Sequence, residues 1–204
     1  MMLSFSQFLV EARKNTFSST VYHGSNAIFK KFDRKKARVA NDYFGGGIAY
    51  FTDEIPVAIT YAKSMSRKTG EPIVYTVELK LNNYFDVNDE FTGQELIRLL
   101  PDDVEGFARG ASMMKLGVNK FRVLSQLKNG DISLTGHQVF KGLSKGMVSS
   151  DAARQHLESL GYDGLRYNGG EHMNAQRHNV YLAYKPESIK IIKANRVIKK
   201  KKAG

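Results

Sequence analysis

The sequence predicts an α+β domain whose β-sheet is assembled from both ends of the chain. Alternating or β-branched runs occur before residue 82 and again after residue 162, which indicates strands. Between about 92 and 160 the pattern changes to short segments with helical spacing, broken by Gly, Pro or Asn. A chain of 204 residues, 42% of them hydrophobic, is long enough for one domain with its own core, and it contains no internal repeats.

The first half of the chain alternates strands with one helix. Val21 and Tyr22 favour extended structure. Glycines 45–47 allow backbone angles that other residues forbid, and a strand follows them directly. Pro56 fits the first turn of a helix, which Gly70 ends. The predicted elements are a strand at 20–23, a loop or short helix at 30–42, a strand from Ile48 to Thr52, a helix at 56–68 and a strand at 72–81.

The second half contains the helical block and then returns to strands. Ser149 or Ser150 is the predicted N-cap of the last helix, and Gly161 is its predicted stop. The predicted helices lie near 93–100, 101–114, 119–128, 135–143 and 149–160, and the predicted strands at 163–167, 179–186 and 188–192.

The composition excludes some classes of protein and favours others. There are no cysteines, which excludes a disulfide framework and a thiolate metal site. The formal net charge of +11 favours contact with nucleic acid or another polyanion, although a basic soluble protein without such a partner fits it too. No apolar run approaches the roughly 18–20 residues that span a bilayer, so we expect no membrane partner.

The two ends of the chain differ from its middle. Lys199–Lys202 form a basic tail at 196–204, which we expect to touch phosphates non-specifically or to be merely solvated. Residues 1–11 resemble the peptides that target internal proteins to the heads of T-even-type phages and that are cut after a Leu/Ile-x-Glu triplet. Leu9-Val10-Glu11 fits that triplet, and an ordinary amphipathic helix is the alternative. The resulting domain boundaries are 1–11, 12–195 and 196–204.

Four features in a fixed order carry a second resemblance. They are His23-Gly24 after a strand, Tyr50 in a strand after the glycines, Tyr61 eleven residues later on the next helix, and a late strand pair ending at 181–191. Together they resemble the diphtheria-toxin-like ADP-ribosyltransferases, the group with a His-Tyr-Glu signature that includes the poly(ADP-ribose) polymerases. The matching stretches are 21–25, 47–62, 74–79, 160–165 and 180–191.

The resemblance implies a fold, a substrate and a set of roles. The fold would be a split β-sheet with the block at 92–160 as a helical insertion, and NAD would be the substrate. His23 would hydrogen-bond a ribose with help from Ser25, and the backbone of Gly24 would hold the nicotinamide amide. Tyr50 and Tyr61 would sandwich the nicotinamide ring. Each residue also has a structural interpretation, since an isolated His or a Tyr at apolar spacing commonly serves packing.

The third signature residue is missing. The resemblance places Val180 where the family has a glutamate that holds the ribose hydroxyl and activates the acceptor. Three explanations stay open. Glu171 in the preceding loop could supply the carboxylate, with Gln176 or Asn179 as neutral hydrogen-bonding groups. The protein could transfer a single ADP-ribose, or only hydrolyse NAD, without a glutamate. The site could also be inactive.

The loop at 168–179 carries two histidines and a glutamate within eight residues. Their spacing is irregular and no fourth ligand is evident, so we predict no metal site.

The resulting prediction is a mono-ADP-ribosyltransferase that cleaves NAD and modifies a host protein or nucleic acid. The N-terminal resemblance would place it inside a phage head and then in the host cytoplasm. The rival prediction is a non-enzymatic basic internal head protein that binds DNA on a degenerate form of the same fold. Convergence of His23, Tyr50 and Tyr61 on one cleft would favour the enzyme.

Overall fold

A computed structural model of the protein describes residues 14–34, 43–67, 69–113, 119–170 and 177–198. Its strands and helices follow one another in the order β1 (Phe17–Ser25), β2 (Ala49–Thr52), α1 (Ile55–Met65), β3 (Ile73–Leu81), β4 (Tyr84–Asp86), β5 (Glu90–Thr92), α2 (Gly93–Leu99), α3 (Val104–Met113), α4 (Lys120–Asn129), β6 (Ser133–Thr135), α5 (Gly136–Gly146), α6 (Ser150–Ser159), β7 (Gly164–Gly169), β8 (His178–Ala183) and β9 (Ile189–Arg196).

Seven strands form one mixed sheet in the order β4-β7-β8-β2-β1-β3-β9. Only β4 and β7 pair in parallel, and all other neighbours in this sheet are antiparallel. Strands from the first half of the chain (β1–β4) and from its end (β7–β9) therefore lie side by side in one sheet. The predicted α+β class, with a sheet built from both ends of the chain, is therefore confirmed.

The sheet is divided at the seam between β1 and β2. Strand β1 pairs with β3 over nine positions, and β2 pairs with β8 over four. The two strands at the seam share a single register position, at which Tyr22 lies opposite Thr52. The sheet therefore consists of one half with β1, β3 and β9 and another with β2, β8, β7 and β4.

Helices α2–α6 lie between β4 and β7 in the chain, where the helical block was predicted. Ser149 is the N-cap of α6 and accepts a hydrogen bond from the backbone N of Ala152, and Gly161 takes a φ of +92° just after the helix ends. The strands β4, β5 and β6 were not predicted, because three residues are too few to show alternation. No helix in the described residues is long and apolar enough to cross a membrane.

Several predicted boundaries shift in the structure. Strand β1 extends beyond the predicted residues in both directions, and α3 begins later than predicted, at Val104. Strand β8 ends at Ala183, because Pro186 begins a single 3₁₀ turn before β9. Most of the predicted loop or helix at 30–42 lies outside the described residues.

The core has two main parts, one on each face of the sheet. The insertion side contains Phe85, Phe107, Phe140, Leu143 and Leu182. The opposite side contains Val21, Phe51, Tyr75 and Val77 among others. On that side the chain after β1 folds back over the sheet, and the Phe29 ring stacks on the Tyr75 ring at 4.3 Å.

The buried carboxylate of Asp163 ties the turn between β3 and β4 to the start of β7. It accepts hydrogen bonds from the backbone N of Asn82 at 2.8 Å and of Asn83 at 3.1 Å. A typical hydrogen bond of this kind contributes about 0.5–1.5 kcal/mol to stability, and this buried carboxylate accepts two from the backbone.

Replacing Asp163 with Ala should therefore lower the free energy of unfolding by about 2 kcal/mol, because two partly buried backbone N–H groups lose their acceptor. Urea denaturation measures this directly. The matched control is Asp131→Ala, whose carboxylate is exposed and forms no hydrogen bond within the described chain. Equal stability of the two variants would contradict the assignment.

Candidate active site

One face of the sheet at the seam brings together three of the predicted site residues. Because Tyr22 and Thr52 lie directly opposite each other, their side chains point to the same face. Side chains alternate along a strand, so Gly24 and Tyr50 belong to this face too. Helix α1, which carries Tyr61, packs on it.

Gly24 is the point at which β1 touches α1. A Cβ atom on Gly24 would lie 2.3 Å from the carbonyl oxygen of Ala58 and 2.6 Å from the backbone N of Ala62. Both are backbone atoms of the helix and cannot move aside without displacing it. Any side chain at residue 24 would therefore push α1 off the sheet, and a glycine is required here.

The side chain of Tyr61 leaves the helix next to this contact, since its Cβ lies 3.0 Å from the position that a Cβ on Gly24 would take. The buried side chains of α1 are Ala58 and Ala62, whereas Tyr61 is 51% exposed. The spacing of Tyr61 along the helix was also compatible with a place in the core, but its exposure shows that the ring lies outside the core. An exposed aromatic ring can stack on a flat ligand, and the stacking role of Tyr61 stays a prediction.

Tyr50 lies on β2, on the other side of the seam. Its side chain is half-buried and packs against the core on the insertion side. Its backbone carbonyl does not continue the ladder to β1 but accepts a hydrogen bond from Nδ1 of His23 at 2.8 Å. His23 and Tyr50 are therefore in direct contact, through an imidazole that bridges the two halves of the sheet.

The half-buried His23 ring lies on the opposite face of β1 from Gly24, among aromatic side chains. Because Nδ1 donates to a carbonyl, the neutral ring carries its hydrogen on Nδ1 and keeps a lone pair on Nε2. Burial lowers the pKa of His23 and outweighs the hydrogen bond to Tyr50, which raises it. The ribose contact stays a prediction. The surrounding rings are Phe29, Phe32, Phe51 and Tyr75. The side chains of His23 and Tyr61 lie on opposite faces of β1, so the structure does not show the expected convergence of His23, Tyr50 and Tyr61 on one cleft.

Ser25 is buried at the end of β1, and its hydroxyl accepts a hydrogen bond from the backbone N of Ala27 at 3.2 Å. This contact starts the turn that folds the following chain over His23. Help from Ser25 in ribose binding stays a prediction.

Asn179 differs from the sequence expectation, because both polar groups of its amide are engaged elsewhere. Its Nδ2 donates to Asp53 at 2.6 Å, and its Oδ1 accepts from Arg166, which also pairs with Asp86 at 2.5 Å. Alternation along β8 points Asn179 to the face opposite Val180. The structure thus makes it a clamp between β2, β8 and β7, not a group facing Gly24.

Val180 lies on the site face, opposite Thr52, and is buried in the core on the insertion side. The position of the missing glutamate is therefore filled by an apolar side chain. Glu171 and Gln176 lie outside the described residues, so the source of a carboxylate stays open.

Two other features of the described residues bear on ligands. An apolar groove of about 290 Å³ lies between α1 and the strands β3 and β9, and neither Gly24 nor Tyr50 nor Tyr61 lines it. No group of three or more His, Asp or Glu side chains in the described chain is arranged to hold a metal ion.

The lowered pKa of His23 predicts a pH dependence of stability. Below about pH 6.5, the ordinary pKa of histidine, the unfolded chain takes up a proton that the folded His23 does not, so stability falls until the lower folded pKa is reached. His23→Asn keeps an N–H donor but cannot titrate. Thermal melts between pH 8 and pH 5 should show a smaller loss of stability for this variant than for the wild type. Equal losses would contradict a buried, neutral His23.

Comparison with known proteins assigns the chain to a family. A family model described as ADP-ribosyltransferase in polyvalent proteins matches residues 18–198. Comparison with curated proteins and with solved structures found no match. The matched range spans both halves of the split sheet and the helical insertion, which is most of the chain. The chain belongs to the ADP-ribosyltransferase family of polyvalent proteins.

Proposed function

We propose that the protein cleaves NAD⁺ and transfers one ADP-ribose unit to a macromolecule. The observation that carries this proposal is the contact of Gly24 with α1, which places the exposed Tyr61 beside β1 close to the seam, in a chain of this family. The bond between the ribose carbon and the nicotinamide nitrogen breaks, and its electrons leave with nicotinamide. The acceptor's nucleophile bonds to that carbon and loses its proton.

Nicotinamide binds at the seam on the face shared by Gly24, Tyr50 and Tyr61. The backbone of Gly24 holds the carboxamide from the edge of β1 that no longer pairs with β2, because α1 covers the face of this glycine. The ring of bound NAD⁺ is a cation, and an aromatic face within about 6 Å stabilises it by about 0.5–2 kcal/mol. Tyr61 supplies such a face at low structural cost, because its ring is already outside the core.

The neutral state of His23 suits this chemistry. Positive charge moves from the nicotinamide ring to the ribose as the bond breaks, and a protonated imidazole nearby would oppose it. Burial lowers the pKa of His23, which favours the neutral ring with Nε2 as a hydrogen-bond acceptor. Because this ring lies on the face of β1 opposite Gly24, the ribose of bound NAD⁺ has to pass between the parted strands β1 and β2 to reach Nε2.

The apolar Val180 supports transfer of a single unit. In the family that the sequence resembles, the glutamate at this position activates the acceptor hydroxyl, and members without it often lose chain elongation. A buried valine cannot accept a proton. Glu171 is the proposed source of a carboxylate for the first transfer.

The acceptor and the route to it are part of the same proposal. The net charge of +11 and Lys199–Lys202 support an acidic macromolecule, a host protein or nucleic acid, as the acceptor. The resemblance of residues 1–11 to head-targeting peptides supports packaging in a phage head and release into the host cytoplasm. A mature N-terminus at Ala12 in purified virions would support this route, and an uncleaved chain would oppose it.

Replacing Tyr61 with Ala should lower kcat/KM for nicotinamide release about tenfold, because the stacking face is lost, while leaving the melting temperature within a few degrees of wild type. Tyr61→Phe should retain most of the activity. The matched control is Phe121→Ala on α4, which removes another exposed aromatic ring from the helical insertion.

Labelled NAD⁺ incubated with host lysate or with DNA measures both turnover and transfer. The labelled species identifies the acceptor, and loss of transfer in Glu171→Ala would identify the loop as the source of the carboxylate. If the folded wild type neither binds NAD⁺ nor releases nicotinamide with either acceptor, the proposed function is wrong and a DNA-binding scaffold is the better account.

A further inference from the structure

A buried arginine of the helical insertion makes contacts that the proposed chemistry does not explain. Arg154 on α6 is 5% exposed, and a buried guanidinium is costly unless its charge and its N–H groups are matched. Asp151 accepts from Nη2 at 2.5 Å, and Glu158 accepts from Nη1. Both carboxylates lie on α6 itself, so the helix neutralises this arginine without help from the sheet.

The Nε group of Arg154 reaches the glycine segment before β2. It donates a shared hydrogen bond to the carbonyl oxygen of Gly45 and to Oδ1 of Asp151, each at 3.2 Å. Gly45 takes a φ of +76°, and a Cβ on it would lie 2.0 Å from the carbonyl oxygen of Ser150. The backbone of Gly45 therefore rests on the first turn of α6 in a conformation that L side chains rarely adopt.

The chain after Gly45 leads directly to the candidate site. Gly46 also has a positive φ, and a Cβ on Gly47 would lie 2.6 Å from the carbonyl oxygen of Ala183. The backbone N of Ile48 donates to that same oxygen at 2.8 Å. The segment is thus held by α6 at one end and by β8 at the other, and Tyr50 follows two residues after Ile48.

Helix α6 fixes a second point of the chain between β1 and β2. Arg34 pairs with Glu158 at 2.6 Å, and Glu158 also binds Arg154. One helix therefore holds the chain before and after residues 35–42, which lie outside the described residues. The contact of Arg154 with Gly45 is on the side that leads to Tyr50, whereas Arg34 is on the side that leads back to β1.

We propose that Arg154 is a positioning residue for the nicotinamide pocket. It holds the Gly45 carbonyl and so sets the path of the backbone that delivers Tyr50 to the seam. It does not touch the substrate, and it links the helical insertion to catalysis. This inference rests on the proposed function. It adds to that function the claim that α6 controls the affinity for NAD⁺.

The test compares Arg154→Lys, Arg154→Met and the control Arg34→Met. Lysine keeps a positive charge between Asp151 and Glu158 but lacks the Nε donor and the planar fork that reach Gly45. Arg34→Met removes the half-exposed partner of the same Glu158. The readouts are kcat and KM for NAD⁺ in nicotinamide release, together with the melting temperature.

We expect Arg154→Lys to keep a melting temperature near wild type but to raise KM roughly tenfold, with kcat changed less than twofold. Arg154→Met should raise KM similarly and also lower the melting temperature. Arg34→Met should leave KM unchanged. Arg154→Lys is the decisive variant if Arg154→Met does not fold.

Two outcomes overturn the proposal in distinguishable ways. An active wild type with an unchanged KM in folded Arg154→Lys would make Arg154 a structural brace only and would leave the proposed function intact. A folded wild type that neither binds NAD⁺ nor releases nicotinamide would overturn the proposed function and, with it, the role of Arg154.

Discussion

The rest of the structure depends on the seam at which the two halves of the sheet meet through a single pair, Tyr22 and Thr52. A continued ladder would have given the Tyr50 carbonyl a backbone partner on β1, but the His23 imidazole supplies that hydrogen bond. The buried carbonyl is satisfied although the strands have parted, so the sheet splits at little cost. Beyond that pair, the edge of β1 at Gly24 and the edge of β2 at Tyr50 no longer pair with each other.

Contacts from three directions hold this seam in place. The backbone of helix α1 packs directly on Gly24, which is possible only because Gly24 has no side chain. This packing fixes the position of the helix and therefore of Tyr61. The clamp of Asn179 with Asp53 and Arg166 joins β2 to β8 and β7 on the opposite face. The helical insertion contributes the third contact, in which Arg154 on α6 holds the Gly45 carbonyl in the segment before β2. The site is therefore built from elements far apart in the chain, and its geometry depends on the fold of the whole domain.

The sequence was informative where local chemistry decides the structure. The alternation in β3, the proline at the start of α1 and the Ser149 cap predicted those elements, because each acts within a few residues. The resemblance implied a site shared by His23, Gly24, Tyr50 and Tyr61, and the structure puts Gly24 and Tyr50 on the face that carries α1 but the His23 ring on the other face. The environment of Asn179 could not be predicted, because its partner Asp53 is 126 residues away, and the same holds for Arg154 and Gly45, 109 residues apart. Such contacts depend on strand order, which periodicity does not reveal.

The measurement that tests the central claim most directly is an NMR titration of the isotope-labelled protein with nicotinamide, which binds without being consumed. The account predicts saturable shifts of the Gly24 amide and of the Tyr61 ring, with the groove between α1 and β9 unaffected. Shifts confined to the residues of that groove, Tyr22, Ile59 and Val197 among them, or no saturable shift at Gly24, would contradict the assignment of the nicotinamide pocket to the seam.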